Sequence, residues 1–244
     1  MSHIRINFEH VNYSYEKAIP ILRDVTFSAH EHESIGLIGA NGVGKSTLLK
    51  LLVGLNLGYE GTISVEGMKV EKQILPKIRE RIGYVFQDSD SQLFMSTAYE
   101  DIAFGPRNYG LSEPEVQERV EHALSMIHIE HLKNKQIYKM SGGEKKMVSI
   151  ATILAMTPDI ILMDEPSIAL DPRNRRYLIQ ILNQFHHLKI IASHDLDMIL
   201  DTCSRVILMA EGTIIRDGKA EEILSDKEIL EANGLELPLC MQRK

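Results

Sequence analysis

The sequence predicts an α/β fold: a core sheet built around a phosphate-binding loop, an N-terminal antiparallel β-subdomain and an inserted α-helical subdomain. Three observations predict it. The stretch Gly39-Ala40-Asn41-Gly42-Val43-Gly44-Lys45-Ser46-Thr47 fits G-x-x-x-x-G-K-[ST], with an apolar run (34–38) before it and a helical pattern (48–53) after it. The runs 82–86, 159–164 and 189–192 are short, apolar and followed by polar residues, as buried parallel strands are. Between the first two of these, residues 88–157 change to helical patterning.

The loop explains the chemistry. Its glycines let consecutive N–H groups turn inward into an anion-holding nest, and the helix that follows adds the positive end of its dipole. Lys45 can reach terminal phosphates and the Ser46 hydroxyl can ligate Mg²⁺. Gly39, Asn41, Gly42, Gly44, Lys45, Ser46 and Thr47 are therefore the candidate nucleotide-binding residues.

The chain has 244 residues, enough to bury a full core, so a single domain with an inserted subdomain is the natural expectation. Its formal charge of -7 opposes general nucleic-acid binding, which needs a basic surface to displace counterions. No apolar run approaches the roughly 20 residues that span a bilayer, and the N-terminus does not read as a signal peptide. A membrane role would therefore come through partners. Cys203 and Cys240 form neither a metal-ligand spacing nor a disulfide framework, which fits a reducing cytoplasm.

In chain order, Ile4–Phe8, Val11–Tyr15 and Ile21–Ala29 alternate as strands, and Tyr59–Gly67 reads as a turn and strand. Tyr15 fits either an aromatic that stacks on adenine or a core tyrosine at a strand edge. Gln87 ends the strand 82–86, where its amide oxygen can face a metal or an attacking water. Leu93-Phe94-Met95 sets three large apolar groups together. Helices are predicted over 100–108, 113–127 and 141–156, the second opened by a capping box of Ser112 and Glu115. Ser141 is a plausible N-cap, and Gly142 and Gly143 leave the N–H groups of that helix start open, with or without a ligand. Asp164 and Glu165 end the strand 159–164, where α/β sheets bind ligands; the first suits Mg²⁺, the second a general base. A helix runs from Asp171 to about Phe185, and His194 follows the strand 189–192. Residues 205–209 and 213–217 read as a hairpin around Glu211-Gly212, and the tail 220–244 as two short helices and an irregular end. The remaining histidines read as surface or half-buried positions.

Six motifs in fixed order resemble the ATP-binding cassette (ABC) ATPases over nearly the whole chain. The phosphate loop matches Walker A, Gln87 the Q-loop, Ser141-Gly142-Gly143-Glu144 the signature, Asp164-Glu165 the end of Walker B, residues 167–171 the D-loop, and His194 the switch histidine. Tyr15 then resembles the adenine-stacking aromatic. The resemblance implies a P-loop NTPase (RecA-like) core of residues 1–87 and 158–219, a helical subdomain of 88–157 and a tail of 220–244. The segments 85–94 and 99–111 are similar to the ATPases of energy-coupling-factor (ECF) importers, most of all the cobalt and nickel type. Residues 88–91 depart from that group's usual Asn-Pro-Asp-Asp, and Met140 and Glu144 depart from the commonest signature.

The resemblance implies ATP and Mg²⁺ as ligands, with Ser46, Gln87 and Asp164 at the metal, and Glu165, His194 and Gln87 as catalytic groups. It implies a second ATPase subunit, identical or paralogous, whose Ser141, Gly142 and Gly143 complete the site. It also implies a transmembrane coupling protein met near Gln92, Leu93 and Phe94, a substrate-capturing membrane protein, and a place on the cytoplasmic face of the cell membrane. A vitamin-type ECF ATPase and a non-transport ABC ATPase are the alternatives.

Overall fold

The computed structural model describes residues 3–15 and 19–242, so the last two residues of the predicted tail lie outside it. Two sheets share one hydrophobic interior. The antiparallel sheet contains β1 (Ile4–Ser14), β2 (Pro20–His30), β4 (Glu60–Val65) and β5 (Met68–Lys69), in the order β2-β1-β4-β5. The second sheet contains β3 (Ser34–Ile38), β6 (Ile82–Val85), β7 (Ile160–Asp164), β8 (Leu188–Ala192), β9 (Arg205–Ala210) and β10 (Thr213–Lys219), in the order β10-β9-β3-β8-β7-β6. Its members are parallel except the edge strand β10, which closes a hairpin on β9.

Where the sequence suggested two N-terminal strands there is one. Strand β1 runs unbroken past His10, whose φ of 51° marks a bulge that shifts its register against β2 between Phe8 and Val11. The alternation survives on both sides, with Ile6, Phe8, Val11 and Tyr13 all turned inward. Phe8 stacks on Phe27 with ring centroids 4.8 Å apart, and burial of such a side chain contributes about 1.5–3 kcal/mol.

The helices are α1 (Lys45–Leu52), α2 (Leu75–Arg81), α3 (Ala98–Asn108), α4 (Glu113–Met126), α5 (Gly142–Leu154), α6 (Pro172–Gln184), α7 (Leu196–Thr202), α8 (Ala220–Leu224) and α9 (Lys227–Ala232). Helix α1 fills the space between the two sheets with Leu48, Leu49, Leu51 and Leu52, none of which reaches solvent. Helices α3, α4 and α5 pack together through Ile102, Val116, Val120, Met147 and Ile150, and this layer is continuous with the far face of the second sheet.

Capping chemistry sets the helix ends. Helix α3 starts two residues earlier than the apolar pattern indicated, because Thr97 and Glu100 form a capping box. The predicted box of Ser112 and Glu115 opens α4, with Glu115 Oε2 accepting from the Ser112 N–H at 2.8 Å. Helices α2 and α7 have seven residues each, too short for a periodic pattern to announce them.

The three apolar groups Leu93, Phe94 and Met95 do not form one exposed patch. Leu93 is buried in the core of the helical layer, Met95 is half-buried, and only Phe94 is open, at 65% exposure. Leu93 packs inward directly after the 3₁₀ turn over Ser89–Ser91, with its N–H donating to the Ser89 carbonyl at 3.0 Å.

Candidate active site

Sheet order brings the candidate residues together. Strands β7, β8 and β3 are adjacent, with Asp164 and Leu37 both opposite Ala192, so their C-terminal ends form one edge. The phosphate loop follows β3, Glu165 follows β7, and His194 lies two residues beyond β8.

Two loop glycines are needed for different reasons. A Cβ on Gly39, at φ 147°, would stand 2.3 Å from the Met209 carbonyl oxygen, closer than atoms can approach. A Cβ on Gly42, at φ 80°, would meet no atom within 4 Å, so this residue opens onto the cavity. The Lys45 side chain lies along the inside of the loop, with Nζ donating to the carbonyls of Gly39 at 2.7 Å and Ala40 at 3.0 Å. Burial lowers its pKa, and the charges of Glu165 and Asp164 partly offset that effect. His194 Nε2 stands 3.4 Å from the same ammonium.

Both oxygens of Asp164 are engaged. Ser46 Oγ donates to Oδ1 at 2.9 Å, and the Tyr84 hydroxyl donates to Oδ2 at 3.3 Å. Tyr84 was missed in the sequence, where it stands inside an apolar strand. The usable signal was its hydroxyl, which in a buried strand needs a partner. Burial and the Asp164 carboxylate hold that phenol far above its ordinary pKa.

Glu165 is 5% exposed and has φ 47°, a conformation that costs a residue with a side chain of order 1–3 kcal/mol. The turn is held by the Glu165 N–H donating to the Ala192 carbonyl at 2.8 Å. Glu165 Oε2 accepts from Ser193 Oγ and from the His194 N–H, both at 3.2 Å. His194 Nε2 lies 3.2 Å from Oε1 without forming a hydrogen bond to it, so among the described residues Oε1 is a buried acceptor with no donor. A basic oxygen in that state is available to a water proton.

Tyr15 is exposed, which decides against the core-tyrosine alternative; Tyr13, edge-on to it at 5.2 Å, is the buried ring. Its hydroxyl lies 3.2 Å from Thr47 Oγ1 and accepts from Asn56 Nδ2 at 3.1 Å, fixing the ring beside the phosphate loop. Tyr15, Asn41, Lys45, Gln87, Glu165 and His194 surround one cavity of about 530 Å³, within the range of small-molecule and nucleotide sites. Gln87 is exposed there.

Ser141, Gly142 and Gly143 are elsewhere. They line a separate cavity of about 830 Å³ together with Ala169 and Asp171. Ser141 caps α5, with its Oγ accepting from the Glu144 N–H at 3.3 Å and Glu144 Oε2 accepting from the Ser141 N–H at 2.8 Å. Gly143 lies so close to Ala169 that a Cβ would come within 2.8 Å of its carbonyl oxygen. Within one chain, then, the loop-binding residues converge and the signature residues do not join them.

Comparisons with known proteins give the family. A family model described as "ABC transporter" matches residues 22–168. A putative ABC transporter ATP-binding protein of Geobacter sulfurreducens is 45% identical over 242 residues, covering 99% of this chain and 97% of that one. The chain belongs to the ABC transporter ATPase family.

Among its ABC relatives is an energy-coupling factor transporter ATP-binding protein of Methanothermobacter thermautotrophicus, 40% identical over 96% of this chain and 76% of that protein. The solved structure of cbiO1 from Clostridium perfringens, described as part of the ABC transporter complex cbiONQ, has a TM-score of 0.82 at 35% identity, covering 98% of both chains. The ATP-binding cassette MJ0796, described as a dimeric post-hydrolysis state with ADP and Pi, has a TM-score of 0.81 at 28% identity, covering 88% of this chain and 98% of that one. This ABC chain is thus an ATP-binding transporter subunit of a family that hydrolyses ATP. No helix among the described residues is long and apolar enough to cross a membrane.

Proposed function

We propose that this protein is the ATP-hydrolysing subunit of an energy-coupling-factor importer for cobalt or nickel ions, working as a dimer on the cytoplasmic face of the membrane. The observation that carries the catalytic part is the buried, donor-free Oε1 of Glu165 beside His194 and Lys45. The ECF and metal part is supported by the energy-coupling-factor relatives and by the likeness to cbiO1.

In this reading Lys45 leaves its carbonyl partners for the β- and γ-phosphates, while the loop N–H groups and Thr47 hold the remaining oxygens. Tyr15 stacks on the adenine. Ser46, Asp164 and Gln87 fit an octahedral oxygen-seeking cation, directly or through water; bound there, Mg²⁺ would neutralise phosphate charge. Glu165 takes a proton from the attacking water, and His194 steadies the γ-phosphate. Ser141, Gly142 and Gly143 reach the nucleotide of the partner subunit, which accounts for their separation from the phosphate loop of their own chain.

Residues 88–157 then act as the lever toward the membrane. Gln92 and Leu93 face inward, so contact with the coupling protein falls to Phe94, edge-on to the partly exposed Phe104 at 4.8 Å. A mild-detergent pull-down from membranes, followed by mass spectrometry, tests the assignment. A coupling protein with a cobalt- or nickel-binding membrane protein is the expected result. Several vitamin-binding membrane proteins on one coupling protein would move the assignment to the vitamin type, and no membrane partner would remove transport.

A further inference from the structure

Helix α5 carries a buried cation that the catalytic reading does not use. Lys146 is 2% exposed, and among the described residues no carboxylate forms an ion pair with it. Its Nζ donates instead to two main-chain carbonyls, those of Phe86 at 2.9 Å and Gln87 at 2.7 Å. Removing an ammonium from water is costly, and burial accordingly lowers the pKa of Lys146. A methionine would fill the same space without that cost. The arrangement is therefore one of specific attachment rather than stabilisation.

Two further links run between the same pair of segments. Gln92 Oε1 accepts from the Phe86 N–H at 3.0 Å, while its Nε2 donates to the Ser149 carbonyl at 2.7 Å and Thr152 Oγ1 at 2.9 Å. Lys145 Nζ meets Asp90 Oδ1 at 2.6 Å. Lys145, Ser149 and Thr152 are spaced i, i+4, i+7, one face of the helix, with Lys146 beside it. Thus residues 86–92 are tied to α5 by the hydrogen bonds of Lys146 and Gln92 and by the Lys145–Asp90 pair, and the first residues of α5 are Gly142 and Gly143.

We propose that Lys146 and Gln92 are positioning residues that couple the two ATP sites of the dimer, by bolting the loop of Gln87 to the helix of Ser141, Gly142 and Gly143. The inference rests on the composite-site reading above, in which Gln87 serves the nucleotide of its own chain and Ser141 that of the partner. Occupancy of one site then orients the groups that complete the other.

The test is the ATP-concentration dependence of hydrolysis by the full-length protein, its Lys146→Met, Lys146→Arg and Gln92→Leu variants. It is paired with calorimetric binding of a non-hydrolysable ATP analogue at protein concentrations where the chain is monomeric. The expected result is a Hill coefficient near the two-site limit of about 2 in the parent, falling to about 1 in Lys146→Met and Gln92→Leu. Lys146→Arg, which keeps its donors, restores it, and monomer affinity for the analogue stays within about twofold throughout. A parent-like Hill coefficient in Lys146→Met overturns the coupling role, as does a fall in rate and monomer affinity with the Hill coefficient kept. Should Lys146→Met fail to fold, Gln92→Leu decides by the same criteria. A parent that hydrolyses with a Hill coefficient of 1 and never dimerises overturns the composite site itself, a failure distinct from that of the bolt.

Discussion

Ser46 Oγ donates to Asp164 Oδ1 across 2.9 Å, joining the first turn of α1 to the end of β7 over 118 positions of chain. In the proposed Mg²⁺ site this pair would supply two oxygen ligands already held in register, so little ordering would remain at binding. Asp164→Asn keeps the shape and removes the charge. It is expected to raise the Mg²⁺ concentration needed for half-maximal hydrolysis at least tenfold, measured by titrating Mg²⁺ at fixed ATP.

Lys45 sits with its ammonium against loop carbonyls, so its replacement removes the charge that the proposed phosphate contact needs. Lys45→Ala is expected to lose about 2 kcal/mol of ATP binding, some tens of fold, by calorimetry. Undiminished binding would sink the role of the loop.

Glu165→Gln preserves the volume and one oxygen of the side chain while removing its basicity. Hydrolysis should fall by roughly 10²–10⁴-fold with ATP binding retained. Light scattering should show an ATP-dependent dimer that persists. Turnover at the parent rate would exclude Glu165 as the base.

Tyr15 is exposed and pinned through its hydroxyl to Thr47 and Asn56. Tyr15→Ala is expected to weaken ATP binding by about 1–3 kcal/mol, the loss of one stacked base. Tyr15→Phe keeps the ring and should stay near the parent. Equal losses in the two variants would assign the effect to the hydroxyl.

The thiols should differ in reactivity and in their effect on stability. Cys203 is buried, and burial pushes its thiol up to about 11, whereas Cys240 is exposed. Near about pH 8, a thiol reagent should titrate Cys240 in the native protein and reach Cys203 only in denaturant. Between the unfolded thiol pKa of about 8.5 and the folded one, the unfolded chain loses a proton that the native protein keeps. Stability from this group is therefore full below that window and falls as pH rises through it, by up to about 1.4 kcal/mol per pH unit. Cys203→Ala should flatten that part of a urea-midpoint profile.

Much of the fold and site was legible because its motifs are local. The loop from Gly39 to Thr47 is a property of consecutive backbone units, and a strand on one side and a helix on the other are enough to expose it. The same holds for the Ser112 capping box and for the acids ending β7, whose burial pattern is continuous. Length set another limit, since the seven residues of α2 and of α7 are too few for periodicity to show.

From the sequence alone came the α/β class, the phosphate loop, the order of the motifs and the identity of the acids and the histidine. Only the tertiary structure decided that Leu93 turns inward, that Tyr84 holds Asp164, that Lys146 grips the carbonyls beside Gln87, and that Ser141 lies in a different cavity from Lys45. The reason is one of range. A motif is written in neighbouring residues, whereas a side chain's partner is set by which strands lie side by side, and the order β3-β8-β7-β6 cannot be read from any single segment.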